Sequence, residues 1–393
     1  MALLGILLVA LNLRTAVAVI SPIATQIGAD IPLDEVGLGV IGSLPPVAFA
    51  LAGLVGASIA RRIGLEHLLV LSIVMMVAGH GIRALAPGYG TLVVGTVVVF
   101  AGIGLGNVLL PPLVKRYFPD RIAIITTLYV TMMSVGTAVP ALVVTPVADS
   151  AGWRASLGLW ALFAVIALVP WVAVVVHHRR DRAIDDAREI PSVDSRLVGG
   201  TWRSRTSWLL AALFGLSSFH AYASFSLLPG LLVDTAGVSG SDTGLLLALY
   251  GLAGLPASII VPVLVSRMSN VTPLLLVGLG TFVAGYGGLL VAPSAAPALW
   301  VVLSGCGLLL FPALLVLINL RSRTTAGSVA VSGFVQGIGY TIGATGPLLI
   351  GVLHAATGGW TVPLLVLIAT VLACVVPALM IGRHTYIEDE IAR

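Results

Sequence analysis

Residues 2–27 read ALLGILLVALNLRTAVAVISPIATQI, an unbroken apolar run with a single charge, Arg14. A helix needs about 20 residues to cross the hydrocarbon of a bilayer, so this run is long enough to span one. A guanidinium at that depth costs at least about 2.5 kcal/mol even on lenient insertion scales. It persists only where it faces a watery cavity, a buried partner or an anionic ligand. The run therefore sets two expectations: a membrane-spanning fold, and a polar interior at Arg14.

The rest of the chain repeats the pattern. Of 393 residues 58% are hydrophobic and only 9% charged, against about 25% charged in soluble domains. Apolar runs between charged or Gly/Pro-rich breaks predict twelve spans, at 2–27, 36–60, 66–86, 90–112, 122–148, 156–176, 207–233, 243–266, 271–292, 296–320, 325–352 and 360–382. Barrel strands would alternate over about ten residues; continuous runs are helical. The class is an all-α membrane protein, with no hydrophilic block large enough for a separate soluble domain. The first run is too long for a signal-peptide core, and it lacks a basic flank and a cleavage site.

Charge placement predicts orientation. With both termini in the cytoplasm, every basic residue falls in an inner loop, the central linker or the tail, except Arg154 in an outer loop and Arg14 and Arg83 within spans. That is the positive-inside asymmetry, so the basic excess is topological and not a nucleic-acid footprint. Arg83 and His80 lie at the outer end of span 3, where a long cation can snorkel to the interface. Cys306 and Cys374 sit in apolar spans and read as small buried side chains. The seven histidines show no ligand spacing, so no metal site, cofactor or catalytic set is expected, and the chain does not read as an enzyme.

The polar segment 177–206 divides the spans six and six. The halves match at a fixed offset of 207: Arg116 with Arg323, Gly136 with Gly343, Pro140 with Pro347, and Gly152-Trp153 with Gly359-Trp360. Span 1 aligns loosely with span 7, placing Pro22 on Pro229 and Arg14 within one position of His220. The expected organisation is a six-helix bundle at 1–176, a cytoplasmic linker at 177–206, a second bundle at 207–382 and a tail at 383–393. Parallel six-helix duplication is the layout of transporters whose substrate site lies at midplane between repeats.

Five strings carry a family resemblance: LNLRTAV (11–17), IARRIGLEHLL (59–69), GIGLGNVLLPPLVKRYFPDR (102–121), LLPGLLVDTAG (227–237) and the long run 328–365 from SVAVSGFVQ to GGWTVPLL. Together they resemble the cyanate/2-nitroimidazole permease family of the major facilitator superfamily, over nearly the whole chain. The resemblance implies that superfamily's fold, with twelve transmembrane helices in two pseudo-symmetric six-helix bundles. Relative to it, Thr15 stands where span 1 usually has Pro, Ser217 where Gln is frequent and Leu227 where Trp is frequent, and His220 is atypical. Arg61 and Arg62 fit the superfamily's basic loop after span 2, but its usual Asp is Ala60 here. Arg61, Arg62, Arg116 and Arg323 are the expected gating residues of the cytoplasmic loops.

Helical spacing places Ala10, Arg14, Ala18 and Ser21 on one side of span 1, and Ser217, His220, Ala221 and Ser224 on a stripe of span 7 with Tyr222 offset. By the same offset Tyr129 corresponds to Gln336 and Met133 to Tyr340. Asn107 lies at a depth similar to Tyr129, and Tyr250 in the outer half of span 8. The expected substrate ligands are Arg14, His220, Asn107, Tyr129, Gln336, Tyr340, Ser217, Tyr222 and Tyr250. Every Asp and Glu falls in a loop or at a span end. Ion-driven carriers commonly place an acid at depth; here only His220 titrates near neutrality at midplane, which makes it the candidate for proton coupling. A positive cavity without an internal counter-ion favours an anion or a neutral solute rich in acceptors, such as cyanate, nitro or carboxylate groups.

The expected function is a secondary active or facilitative transporter for such a small molecule. It is expected to be a monomer in the lipid bilayer of a bacterial cytoplasmic membrane, with protons as the candidate coupling ion. Two alternatives stand beside it: export of neutral antimicrobial compounds, or a non-transporting membrane sensor on the same fold.

Overall fold

A computed structural model describes residues 1–17, 19–32, 35–182, 199–238, 240–381 and 385–391. Most of the linker, together with Ala18, Asp34, Arg383 and Arg393, lies outside the described residues. The regular secondary structure of these segments is helical. We number its principal helices α1 (Ala2–Thr15), α2 (Glu35–Ile63), α3 (Leu65–Ala84), α4 (Tyr89–Tyr117), α5 (Ile122–Ala151), α6 (Trp153–Arg182), α7 (Arg205–Ala236), α8 (Gly240–Arg267), α9 (Thr272–Val291), α10 (Pro297–Leu320), α11 (Thr325–Thr357) and α12 (Thr361–Met380). Eleven described helices, α2 to α12, are long and apolar enough to cross a membrane.

The expected span 1 is where structure and sequence part. It is not one helix. α1 has 14 residues and stops at Thr15; a 3-10 turn at Ser21–Ile23 and a short helix Ala24–Asp30 follow. The local chemistry explains the stop. The Thr15 hydroxyl donates to the Asn12 carbonyl at 3.0 Å, a side-chain alternative to helix continuation, and Pro22 has no amide hydrogen to extend a ladder. Irregular backbone at membrane depth requires protein or water around it. Protein surrounds this segment: Val19, Ile20, Ile23 and Ile27 are buried against Leu92, Val144, Leu157 and Trp160. The expected stripe through Ala10, Arg14, Ala18 and Ser21 therefore has no continuous helix to carry it beyond Thr15. α10 is also interrupted, by a 3-10 turn at Gly307–Leu309, and α12 bends at Cys374.

By contact the chain divides into two compact units, Met1–Gly199 with Thr324–Gly333, and Gly200–Arg323 with Phe334–Arg393. In the first, α1 packs on α4, α5 and α6, and α3 on α4 and α6. The first turns of α11 belong to this unit, where the Ser332 hydroxyl donates to the Val108 carbonyl at 2.7 Å. In the second, α7 packs on α8, α10 and α12, and α9 on α10 and α12.

One contact recurs in both units at the offset read from sequence. Gly136 of α5 sits against the Leu11 carbonyl of α1, so closely that any side chain would overlap it. Gly343 of α11 sits against α7 at Ser218, where an added Cβ would come within 2.7 Å of the Ser218 Cβ. Both partners, like both glycines, are 207 residues apart. Hydrophobic burial does not pull helices together in lipid, so close backbone approach through small residues does much of the work of packing them.

Candidate functional site

Arg14 lies in the last turn of α1, immediately before the break, and is half-buried. The helix ends with its carbonyls toward this residue, and that end of the helix dipole favours a cation. The neighbouring Asn12 is buried; its amide donates to the Leu8 carbonyl at 2.8 Å and the Phe163 carbonyl at 3.3 Å, pinning α1 to α6. Among the described residues no Asp or Glu lies inside a span away from its ends. Arg14 therefore ends an interrupted helix, in a chain whose described carboxylates all lie in loops or at span ends.

Asn107 and Tyr129 belong to the same unit as Arg14 and are buried; the Asn107 amide donates to its own helix at the Ile103 carbonyl, 3.1 Å away. Ser217, His220, Tyr222, Tyr250, Gln336 and Tyr340 belong to the second unit. Ser217, His220, Tyr250, Gln336 and Tyr340 are buried there, and Tyr222 is half-buried. Tyr340 packs edge-on against Phe214 of α7 with ring centres 5.1 Å apart, and Tyr250 against Phe225 at 5.3 Å.

His220 sits in a network that the sequence reading did not anticipate. Its Nδ1 lies 3.1 Å from the Tyr286 hydroxyl of α9 and its Nε2 3.3 Å from the Thr370 hydroxyl of α12. The Thr370 hydroxyl donates to the Leu367 carbonyl at 2.8 Å, so toward His220 it accepts. Nε2 then carries the proton and Nδ1 accepts from Tyr286, whose oxygen in turn accepts from Ser224 at 3.1 Å. This assignment gives each hydroxyl hydrogen one acceptor. The ring packs against Phe282 and Tyr286, with centres 4.8 and 5.3 Å away, and the Tyr250 hydroxyl donates to the His220 carbonyl at 3.4 Å. The structure thus brings His220, Ser224 and Tyr250 together, with Tyr286 and Thr370 added. A trace was present in sequence: Tyr286 is the lone hydrogen-bonding aromatic of α9, one helical turn after Phe282.

At the helix ends near the charged loops, Arg116 pairs with Glu66 of α3 at 3.2 Å, and Tyr117 donates to the same carboxylate at 2.8 Å. Arg323 grips Asp389 with two nitrogens, at 2.7 and 2.9 Å, and lies over Tyr386. Arg61 and Arg62 occupy the last turn of α2, Arg62 exposed.

The sequence reading gives residues 383–393 as a cytoplasmic tail, and the described part of that tail is docked. The short helix Ile387–Ile391 buries Ile387 and joins the backbone to Arg321. Its Glu390 receives the Ser204 hydroxyl (2.6 Å), the Thr206 amide (3.0 Å) and the Thr206 hydroxyl (2.7 Å) at the start of α7. Burial opposes ionisation of Glu390, but these hydrogen bonds and Arg205 outweigh it and hold the carboxyl below its ordinary value.

Comparison with known proteins gives a consistent picture. The sequence model of the Major Facilitator Superfamily matches residues 2–344. The chain is 31% identical to an uncharacterized transporter, YycB, of Bacillus subtilis (strain 168), covering 98% of this chain and 94% of that protein. It is 32% identical to the 2-nitroimidazole transporter of Escherichia coli (strain K12), covering 98% and 96%, and 26% identical to the cyanate transport protein CynX of the same organism, covering 91% of each. Among solved structures, the proton:xylose symporter XylE superposes with a TM-score of 0.76 over 100% of this chain and 98% of that one, at 14% identity.

Proposed function

The chain belongs to the Major Facilitator Superfamily and is a multi-pass membrane transporter; from that premise we propose that it moves a small anionic or strongly acceptor-bearing solute by alternating access, with Arg14 as principal ligand. The observation that carries this reading is the position of Arg14. It ends an interrupted helix in a membrane interior where no described carboxylate lies at depth. A fixed guanidinium offers a planar fork to nitro, cyanate or carboxylate oxygens. Relatives named for 2-nitroimidazole and cyanate support that solute class. We place both termini in the cytoplasm, because the basic residues then fall almost entirely on the inner side.

Asn107 and Tyr129 complete the ligand set in the first unit, and Gln336, Tyr340, Ser217 and Tyr222 in the second. The enclosed hydrogen bonding of His220 and Tyr250 supports a different role: they join α7, α8, α9 and α12, and His220 orders α7 rather than carrying protons. Arg116 with Glu66, and Arg323 with Asp389, brace the cytoplasmic loops.

Uptake of radiolabelled cyanate and 2-nitroimidazole into proteoliposomes tests the proposal with R14Q and R14K. Loss of a charged hydrogen bond is worth about 1.5–3 kcal/mol, so R14Q should lower uptake of the transported solute about 10- to 100-fold, with R14K in between. Uptake by R14Q close to wild type would remove Arg14 from the ligand set.

A further inference from the structure

The two units hold a matched arginine with acids from different places. In the first, Arg116 in the last turn of α4 pairs with Glu66 in the first turn of α3, so both partners belong to long helices. The offset of 207 carries α3 (Leu65–Ala84) onto α9 (Thr272–Val291) and Arg116 onto Arg323. It carries Glu66 onto Pro273, and α9 contains no acid. Arg323 takes its carboxylate from the tail instead. Asp389 accepts from two guanidinium nitrogens, Glu388 accepts from the Arg323 backbone amide at 2.8 Å, and the guanidinium lies 4.6 Å from the centre of the Tyr386 ring.

Further contacts spread the tail over the second unit. The Ile387 amide donates to the Arg321 carbonyl at 2.9 Å, and the Arg321 guanidinium donates to the Ile381 carbonyl, just after α12, at 2.7 Å. Glu390 accepts from Ser204 and Thr206, where a carboxylate satisfies an open amide of the α7 N-terminus and meets the favourable end of the helix dipole. Ile391 lies so near Gly200 that a Cβ there would come within 2.5 Å of it. Residues 385–391 thus touch the start of α7 and the end of α10, and Arg321 carries the link to the end of α12. All of these lie in one unit.

We infer that residues 385–391 are a detachable strap that supplies the acid α9 lacks and ties together the ends of α7, α10 and α12. Glu66 cannot leave Arg116 without moving α3, whereas the strap lets go by displacement of a chain end alone. Exposure separates the two pairs in the same way. The side chains of Arg323 and Asp389 are 56% and 42% exposed, those of Arg116 and Glu66 only 26% and 10%. Solvent and salt screen an exposed pair far more than a sheltered one. The device is a charge-held closure of one end of the second unit that ionic conditions open and shut.

Hydrogen–deuterium exchange of the purified full-length protein in detergent tests it, from about 0.01 M to about 1 M sodium chloride, over which the screening length falls from about 30 to about 3 Å. Residues 385–391 and 204–208 should both exchange about two- to fivefold faster at high salt, the effect of losing a half-exposed ion pair. Residues 115–118 should keep their rate. R323E and D389R should each show the fast exchange already at low salt, and R323E/D389R should restore protection, which a misfolded variant would not. Exchange of the tail indifferent to salt, a tail that loosens while 204–208 stay protected, or a double variant no slower than the single ones would each overturn the strap.

Discussion

The Trp153 indole donates to the Asp30 carboxylate at 2.9 Å, tying the start of α6 to the segment that continues α1. Trp360, 207 residues later, donates to Asp234 near the end of α7 at 2.8 Å. Each unit therefore closes one end with the same device, an indole crossing to an acid on its first long segment. A cation or imidazole backs each ring: Arg154 lies over Trp153 at 4.2 Å, and His354 stacks on Trp360 at 4.0 Å. The cost of losing either bond is about 0.5–1.5 kcal/mol. W153F and W360F should each lower the melting temperature of the purified protein, and because they share no partner the double variant should lose the sum of the two. A double variant no worse than either single one would show that the clamps are not independent.

Gly136 and Gly343 make a second matched pair, and here the prediction concerns volume. Substitution by Ala forces backbone apart at Leu11 or Ser218, an overpacking that costs about 1–3 kcal/mol. Gly280 in α9 has open space around its Cβ position. G280A should be neutral or slightly stabilising, since Ala outranks Gly in a helix by about 1 kcal/mol. Melting temperatures of the three variants check this directly; G136A as stable as wild type would contradict the observed approach.

The His220–Tyr286 bond is measurable by a double-mutant cycle with H220Q, Y286F and the pair. Interhelical side-chain bonds in membranes average about 0.6 kcal/mol and reach about 1.7. A coupling in that range, with transport retained in H220Q, agrees with a helix joint. Transport abolished in H220Q at unchanged stability would return the ring to the solute path.

Glu390 makes tail docking sensitive to acid. Its folded-state value is depressed below the ordinary 4.5, so its contribution is fully present above that value. The contribution is lost as pH falls from 4.5 through the lower folded value. Amide exchange of residues 387–391 should be slow at pH 7 and rise beyond its intrinsic pH trend below about pH 4.5, the ordinary carboxylate value. E390Q should show the fast exchange already at neutral pH. Slow exchange in E390Q would mean that Ile387 and Arg321 hold the tail without the carboxylate.

Hydropathy alone determined that this chain crosses a membrane as helices, because only a helix satisfies its own backbone in lipid and needs a continuous apolar run to do so. The 207-residue offset likewise carried real geometry, since the matched glycines and tryptophans mark contacts that leave little freedom of residue type. Tertiary structure decided the rest. It broke span 1 after Thr15, where a hydroxyl and a proline compete with the helix ladder and neighbouring isoleucines absorb the irregular segment. It turned His220 toward Tyr286 and Thr370, and it enclosed Arg83, which sequence alone would have sent to the surface. Depth along a span can be read from residue count, but which way a polar side chain faces depends on the neighbouring helices. Those neighbours come from distant parts of the chain.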